Sequence, residues 1–189
     1  MHADNWANKA KQEGYRTRAV YKLEEILQKT KSLKRSQNVL DLGSAPGGWA
    51  HYIKKKSPNS VVYAIDILDM EAVDGVYFFQ NSIEEIDNID SISSKMGSFG
   101  LVISDIAPNL TGINAIDTEN IYELNLLTLD TATKYLNKSH GSFIMKTFQN
   151  SMLKNLRKKM ELSFKIVQTF KPAASKKQSG EIFLYGAYK

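Results

Sequence analysis

The chain has 189 residues, 42% of them hydrophobic and 24% charged, so a folded domain with a sizeable core is expected. It contains no cysteine, which excludes disulfides, thiolate metal sites and a cysteine nucleophile. No segment approaches the roughly 18 consecutive apolar residues that a membrane span needs. We expect one domain over residues 1–189. Residues 1–13 do not resemble a signal peptide and are expected to be flexible, or a trimmed or engineered start.

Charge is divided unevenly along the chain, although its net value is only +5. Residues 1–60 carry 12 Lys/Arg and 5 Asp/Glu, residues 61–130 carry 1 and 13, and residues 131–189 carry 12 and 2, which gives net charges of +7, −12 and +10. Two basic segments around an acidic one suggest a cationic surface built from both chain ends, for which RNA is the natural partner. A lysine-rich composition on solvated faces explains the charge alone equally well.

Hydrophobic periodicity predicts helices and strands that alternate along the chain. The first element is a helix over residues 17–30, in which apolar residues recur at helical spacing and Thr17 is a candidate N-cap. Seven runs predict strands, at 38–42, 60–66, 76–79, 100–105, 141–148, 164–170 and 181–188. Further helices are predicted at 48–56, 84–95, 118–137 and 151–161. Such alternation is typical of an α/β fold with a mostly parallel sheet and helices on both faces.

The last two predicted strands break this alternation. Only the segment KPAASKKQSG (171–180) joins them, and ten residues with Pro and Gly leave little room for a crossover helix. An antiparallel hairpin is therefore expected at the C-terminal end. A seven-stranded, mostly parallel sheet that ends in such a hairpin is the layout of the Rossmann-like S-adenosylmethionine-dependent methyltransferases, whereas a dinucleotide-binding domain more often continues with helices.

A glycine-rich turn follows the first predicted strand and opens a helix. Residues 43–48 read G-S-A-P-G-G, so Ala45 replaces the central glycine of the dinucleotide fingerprint and Pro46 removes a backbone N–H that could bind phosphate. A nucleoside without phosphates, such as S-adenosylmethionine, needs neither the central glycine nor the backbone N–H for its binding. Asp66 ends the next strand, 18 residues after Gly48, where a carboxylate can accept both ribose hydroxyls. Loop and hairpin together favour the methyl donor over NAD, which is kept as an alternative for an oxidoreductase.

Two further positions bear on the group that receives the methyl. Asp105 ends a central strand, where open α/β sheets place their sites. No aromatic residue follows it in Asp-Ile-Ala-Pro-Asn to stack on a flipped base, and cytosine C5 methylation needs a cysteine, so base methylation is disfavoured. Lys146 lies inside an apolar strand and must emerge at the strand end or find a carboxylate partner. If it faces Asp105, it can orient or deprotonate a ribose hydroxyl.

Five segments together resemble the RrmJ/FtsJ family of RNA ribose 2′-O-methyltransferases. They are RTRAVYKL, VLDLGSAPGGW, SDIAPN, KTFQ and KPAASKKQSGEIFL, in that order from about residue 14 to the C-terminus. The resemblance implies a catalytic tetrad of Lys22, Asp105, Lys146 and Glu181. Lys146 is then the central catalytic residue, Asp105 orients it, and the other two complete the set, with no metal required.

The same resemblance implies the ligand contacts. S-adenosylmethionine, which leaves as S-adenosylhomocysteine, is expected to contact residues of the glycine turn, of the two following strand ends and of the Asp105 segment: Gly43, Ala45, Pro46, Gly47, Gly48, Trp49, Asp66, Ser82, Ile83 and Asp105. RNA is expected to contact the start of the first predicted helix through Arg16, Arg18 and Lys22. Ser82 departs from the family, which usually has an aspartate there against the adenine amino group. Weaker donor binding is expected, with Glu84 or Glu85 as a substitute.

The substrate expected from the resemblance is large-subunit ribosomal RNA, at a uridine in a structured loop and within a ribosomal particle. The compact single domain and Gln149 in KTFQ favour this branch over the transfer RNA anticodon-loop branch, which is an alternative. A non-catalytic RNA-binding relative is a second alternative, and the intact tetrad argues against it. A small-molecule methyltransferase has no need of basic flanks. The protein is expected to be a monomer of the cytoplasm, or of an organelle such as the mitochondrion in a eukaryote.

Overall fold

Helices and strands alternate through most of the chain in the computed structural model, which describes residues 3–176 and 178–189. The helices are α1 (Ala3–Gln12), α2 (Val20–Thr30), α3 (Gly48–Lys56), α4 (Asp90–Ser93), α5 (Asn114–Tyr135) and α6 (Leu153–Ser163), with a 3-10 helix at Ile83–Asn88. The strands are β1 (Asn38–Leu42), β2 (Val61–Asp66), β3 (Val76–Gln80), β4 (Leu101–Ser104), β5 (Ser142–Phe148), β6 (Ile166–Phe170) and β7 (Glu181–Ala187). In this part of the chain, the search for a helix both long and apolar enough to cross a bilayer finds none.

The seven strands form one sheet in the order β3-β2-β1-β4-β5-β7-β6. The first five strands in this order are parallel to one another, while β7 runs antiparallel to both β5 and β6. The predicted α/β fold class and the terminal antiparallel hairpin are therefore confirmed. Chain order reverses beside β1, which has β2 on one side and β4 on the other, and open α/β sheets bind their ligands at the carboxyl ends of strands at such a point.

Two apolar cores lie on opposite faces of the sheet. Successive side chains of a strand point to opposite faces, so Val39 belongs to the core covered by α2 and α3, and Leu40 to the core covered by α5 and α6. Four of the five residues of β1 are buried, as expected for a parallel strand that is covered on both faces. This double cover holds the strand ends, and the loops that follow them, in fixed positions.

Three local predictions differ from the structure. Thr17 does not cap the helix predicted from 17, because α2 begins at Val20 and the Thr17 side chain instead packs against Gly48 of the glycine turn. The helix predicted over 84–95 is divided between the 3-10 helix and the single turn of α4. Residues 3–12, within the segment 1–13 expected to be flexible or a trimmed or engineered start, form α1, whose Trp6 packs on Tyr21 with ring centroids 5.0 Å apart.

Candidate active site

A cavity of about 630 Å³ opens at the carboxyl ends of β1, β2 and β4, where the reversal in strand order predicts a ligand site. Its walls come from the glycine turn, the ends of β2 and β3, the segment after β4 and one face of α5. The residues of these walls that bear on the argument are Gly43, Ala45, Asp66, Ser82, Ile83, Glu84, Asp105 and Lys146. Its size is within the range of roughly 300–1,000 Å³ typical of small-molecule sites.

The glycine turn requires glycine at its first position. Gly43 has φ +73°, and a Cβ added there would overlap the side chain of Ile106, which is packed over the turn. Gly47, with φ +87°, is the residue that leads into α3. A Cβ at Gly47 would lie 2.9 Å from the guanidinium of Arg16. The backbone of the turn is thus packed closely on both sides.

Arg16 links the glycine turn to the segment after β2 by hydrogen bonds. Its guanidinium donates hydrogen bonds to the carbonyl oxygens of Pro46 (2.9 Å), Glu71 (2.7 Å) and Ala72 (2.7 Å). Three of its five N–H donors are therefore used within the protein, and the phosphate contact of Arg16 stays a prediction. Arg18 differs, since its Nη1 is buried without a hydrogen-bond partner and its guanidinium is not part of an ion pair among the described residues.

Asp66 has the position expected for a ribose-binding carboxylate. It ends β2 at the rim of the cavity, and its two oxygens accept the backbone N–H groups of Ala45 and Leu68, each at 2.9 Å. These bonds tie the carboxylate to the glycine turn and fix its orientation. Each carboxylate oxygen can accept more than one hydrogen bond, so both can still receive a ribose hydroxyl.

Glu84 and Glu85, the two candidate substitutes for the missing aspartate, differ in whether they line the cavity. The Ser82 hydroxyl accepts the backbone N–H of Glu84 at 3.2 Å and begins the 3-10 helix, so this oxygen is already engaged. Glu84 lines the cavity together with Ile83, whereas Glu85 contacts the Asn88 side chain outside it. Of the two substitutes for the missing aspartate, the geometry favours Glu84.

Four charged side chains form two ion pairs; Lys146 and Asp105 line the cavity, and Lys22 and Glu181 lie close enough to act on the charge of Asp105. Lys146 Nζ, on β5, lies 3.1 Å from Asp105 Oδ1, just after β4, and it also donates to the Asp105 carbonyl oxygen. Lys22, on α2, lies 2.7 and 2.8 Å from the two oxygens of Glu181 on β7. The Ser175 hydroxyl donates to Glu181 at 2.8 Å, so this carboxylate is held from two sides. The structure brings the predicted tetrad together.

Burial sets the charge balance of this cluster. Burial raises the pKa of Asp105 above its usual value, against the attraction of Lys146 and Lys22. Burial also acts to raise the pKa of Glu181, but the hydrogen bonds and charge of Lys22, with help from Ser175, bring that pKa below its usual value. Glu181 is therefore the more firmly ionised of the two carboxylates, and Asp105 is the one whose charge responds to what enters the site.

Several residues predicted to contact the cofactor lie outside the main cavity. Trp49 is 3% exposed, its indole N–H donates to the Ala19 carbonyl at 2.9 Å, and its ring packs on Phe183, so the ring has a structural role. With Pro46 and Gly48 it lines a second cavity of about 40 Å³, which shares Gly43, Ala45 and Asp105 with the first. Gly47 lines neither cavity, because its role is to turn the backbone into α3.

Sequence reasoning missed two residues near the site. Asp41 is buried in β1 and accepts the Ser44 hydroxyl at 2.9 Å, and a carboxylate within the apolar run VLDL was the available signal. Ser175 supports Glu181 from a loop whose path the sequence pattern does not reveal.

The residues of the cavity fit S-adenosylmethionine. This nucleoside is cationic at sulfur and carries no phosphate, and the walls offer the carboxylates of Asp66, Glu84 and Asp105. The glycine turn presents Pro46 in place of an amide donor. Asp105 Oδ1 is buried and lies 3.1 Å from Lys146 Nζ, and a carboxylate oxygen has the capacity to accept a further hydrogen bond from a ligand.

Comparison with known proteins identifies the family. Residues 15–189 match the model of the FtsJ-like methyltransferases. The chain is 37% identical to Ribosomal RNA large subunit methyltransferase E of Dechloromonas aromatica, over 97% of this chain and 90% of that protein, and 40% identical to its namesake of Neisseria meningitidis, over 98% and 91%. A crystal structure from Plasmodium falciparum, assigned as a ribosomal RNA methyltransferase, superposes with a TM-score of 0.78 at 29% identity, over 92% of this chain and 97% of that one. The chain therefore belongs to the FtsJ-like methyltransferase family.

Proposed function

We propose that this methyltransferase transfers the methyl group of S-adenosylmethionine to a ribose 2′-hydroxyl of RNA, with large-subunit ribosomal RNA as its substrate. The observation that carries the proposal is the meeting of Lys22, Asp105, Lys146 and Glu181, from four separate elements, beside a cavity that suits the donor. Side chains so distant in sequence and so buried are costly to assemble, which supports a functional role.

The chain's own residues do the positioning. Bound S-adenosylmethionine supplies a methyl group on a positively charged sulfur, which is a good leaving group. The 2′-oxygen forms its bond to the methyl carbon as the carbon–sulfur bond breaks, with that electron pair staying on sulfur, and the hydroxyl proton leaves to water. Lys146 holds the 2′-oxygen by a hydrogen bond and stabilises the negative charge that develops on it. Asp105 orients Lys146, which keeps the oxygen in line with the methyl group.

The second ion pair supports the nucleotide that is modified. Lys22 is held against Glu181 and lies above the ring of Phe183, 5.8 Å from its centroid, so its position is fixed from two sides. Arg18 is four residues before it, and its free Nη1 is suited to a phosphate of the same RNA strand. Arg18 lies two residues before α2 and Lys22 lies in its first turn, so we place the start of this helix against the RNA backbone.

Ribosomal RNA is favoured among RNA substrates by the names of the bacterial relatives, which the chain matches over nearly their full length. We further propose that a ribosomal particle supplies part of the specificity, and that the protein acts as a monomer in the cytoplasm. The test is to incubate the protein and radiolabelled S-adenosylmethionine with large ribosomal subunits from a strain that lacks this modification, with the free RNA and with transfer RNA.

The three substrates separate the alternatives. Label in the subunits, or in their RNA, is the expected result. Label in transfer RNA alone would identify the anticodon-loop branch, and no label despite measurable donor binding would identify a non-catalytic RNA-binding relative. An oxidoreductase would be recognised by thermal stabilisation with NAD instead of S-adenosylhomocysteine.

A further inference from the structure

Asp41 lies within reach of the donor site but is not part of the tetrad. It is next to the last residue of β1, and its side chain is 1% exposed. With Ser44 and Asp105 it lines the cavity of about 40 Å³, which shares the wall residues Gly43, Ala45 and Asp105 with the main cavity. This side chamber has room for a small polar group or two to three water molecules.

The charged groups that act on the Asp41 carboxyl group are negative. Burial is the largest effect on its carboxyl group, and the carboxylates of Asp105 and Asp66 add repulsion. The Ser44 hydroxyl and the backbone N–H of Ala50 donate hydrogen bonds that oppose these effects only in part. The pKa of Asp41 is raised to about 7, so its charge changes near neutral pH.

The nearby cations are occupied by other partners. Lys146 is paired with Asp105, Lys22 with Glu181, and Arg16 with three backbone carbonyl oxygens. His51, on α3, has its pKa lowered by burial and by Arg16, so it is neutral when Asp41 ionises. An additional positive charge in the cavity would therefore find Asp41 without a cationic partner of its own.

We propose that Asp41 makes the site prefer the cationic methyl donor over the neutral-sulfur product, by placing a buried negative charge beside the shared wall of the two cavities. The inference rests on the proposed function, in which S-adenosylmethionine enters and S-adenosylhomocysteine leaves. The two ligands differ in one methyl group and in the positive charge on sulfur. A charge separation of about 10 Å at an effective dielectric constant of about 20 gives a preference on the order of tenfold. Such a preference speeds the exchange of spent product for fresh donor.

The test measures binding of both ligands by isothermal titration calorimetry, without RNA, at several pH values from 6 to 8. In the wild type, Asp41 is mostly protonated at pH 6 and mostly ionised at pH 8. The ratio of the product Kd to the donor Kd should therefore rise on the order of tenfold across this range. In Asp41→Asn most of this rise should be lost. The ligands' own amino groups titrate in both proteins, whereas Asp105 repels Asp41, so the difference between the proteins reports Asp41 together with its effect on Asp105.

Ser44→Ala is the second variant, because it keeps the carboxyl group and removes a hydrogen bond that favours its ionised form. The rise in the ratio should then move to higher pH, whereas a merely structural Asp41 would weaken both ligands alike and leave the ratio unchanged. An identical pH profile in the wild type, Asp41→Asn and Ser44→Ala would overturn the proposal. Since no RNA is present, this outcome is separate from whether ribosomal RNA is the substrate.

Discussion

Individual residues with similar sequence signals have different roles in this site. Arg16 and Arg18 are two positions apart in a basic segment, yet one binds three carbonyl oxygens under the glycine turn and the other keeps a buried donor without a partner. Glu84 and Glu85 are adjacent, yet only the first lines the cavity. Each pair offers a matched experiment, because the two variants remove the same side chain from neighbouring positions.

Arg16→Ala is expected to weaken donor binding, and Arg18→Ala to weaken RNA binding. The first change removes hydrogen bonds worth about 1 kcal/mol each and releases the turn at Pro46, so the protein should be less stable and the S-adenosylhomocysteine Kd should rise. The second removes a phosphate contact, so the slope of log K against log salt for RNA binding should fall by about 1. Calorimetry and filter binding measure the two effects, and the same profile in both variants would contradict this division of roles.

Glu84→Gln is expected to weaken donor binding several-fold, and Glu85→Gln to leave it unchanged. The reason is that Glu84 provides a carboxylate on the cavity wall two residues after Ser82, which stands where the resemblance implies an aspartate. Ser82→Asp should tighten donor binding, since it restores a charged acceptor. Titration of the three variants with S-adenosylmethionine measures this, and equal affinities for Glu84→Gln and Glu85→Gln would show that Glu84 is not the acceptor.

At the scale of elements, the strand ends and the turn after β1 determine the site. β4 and β5 are neighbours, which brings Asp105 and Lys146 together, and β7 lies beside β5, with Glu181 opposite Phe148. The sequence predicted all seven strands, because each is an apolar run bounded by turn residues. It predicted the terminal hairpin as well. It could not show that β7 inserts between β5 and β6, since both strand orders satisfy the same pattern.

Gly43→Ala is expected to abolish donor binding, whereas Gly97→Ala is not. Both glycines have similar positive φ angles, +73° and +74°, so both variants carry the same backbone strain of about 1–2 kcal/mol. A Cβ at Gly43 would overlap Ile106 on the cavity wall, but one at Gly97 meets open space. Denaturant unfolding and ligand titration separate strain from overlap. Equal loss of donor affinity in the two variants would mean that overlap at the turn is unimportant.

Over the whole molecule, acidic residues gather at the cavity for the methyl donor, and basic residues gather in the two chain ends, which we assign to RNA. The acidic middle of the chain supplies Asp66, Glu84 and Asp105 to the cavity for a cationic donor. The two basic ends meet each other, because Lys22 pairs with Glu181 and Glu25 accepts the backbone N–H of Ala173 at 2.8 Å. The charge pattern predicted one surface built from both ends, and these contacts explain how α2 and the loop before β7 come to adjoin.

Side-chain direction was the part of the site that the sequence could not supply. Lys22, Asp105, Lys146 and Glu181 were named from a resemblance, but their pairing depends on the twist and order of the sheet. Trp49 was expected at the cofactor; its ring packs on Phe183 in the core and also lines the smaller cavity, so its contact with the cofactor stays a prediction. Alternation of apolar residues along a strand shows which face of the sheet a side chain points to, but it does not show which residue of another element packs against it.

The measurement that tests the central claim most directly is alkaline hydrolysis of RNA labelled by the protein with radioactive S-adenosylmethionine. A 2′-O-methyl group blocks cleavage at its own phosphate, so ribose methylation should leave the label in alkali-resistant dinucleotides. The label should be lost in Lys146→Ala and kept in Lys154→Ala, which removes an exposed lysine on α6. Label recovered in mononucleotides, or activity unchanged in Lys146→Ala, would contradict ribose methylation through Lys146.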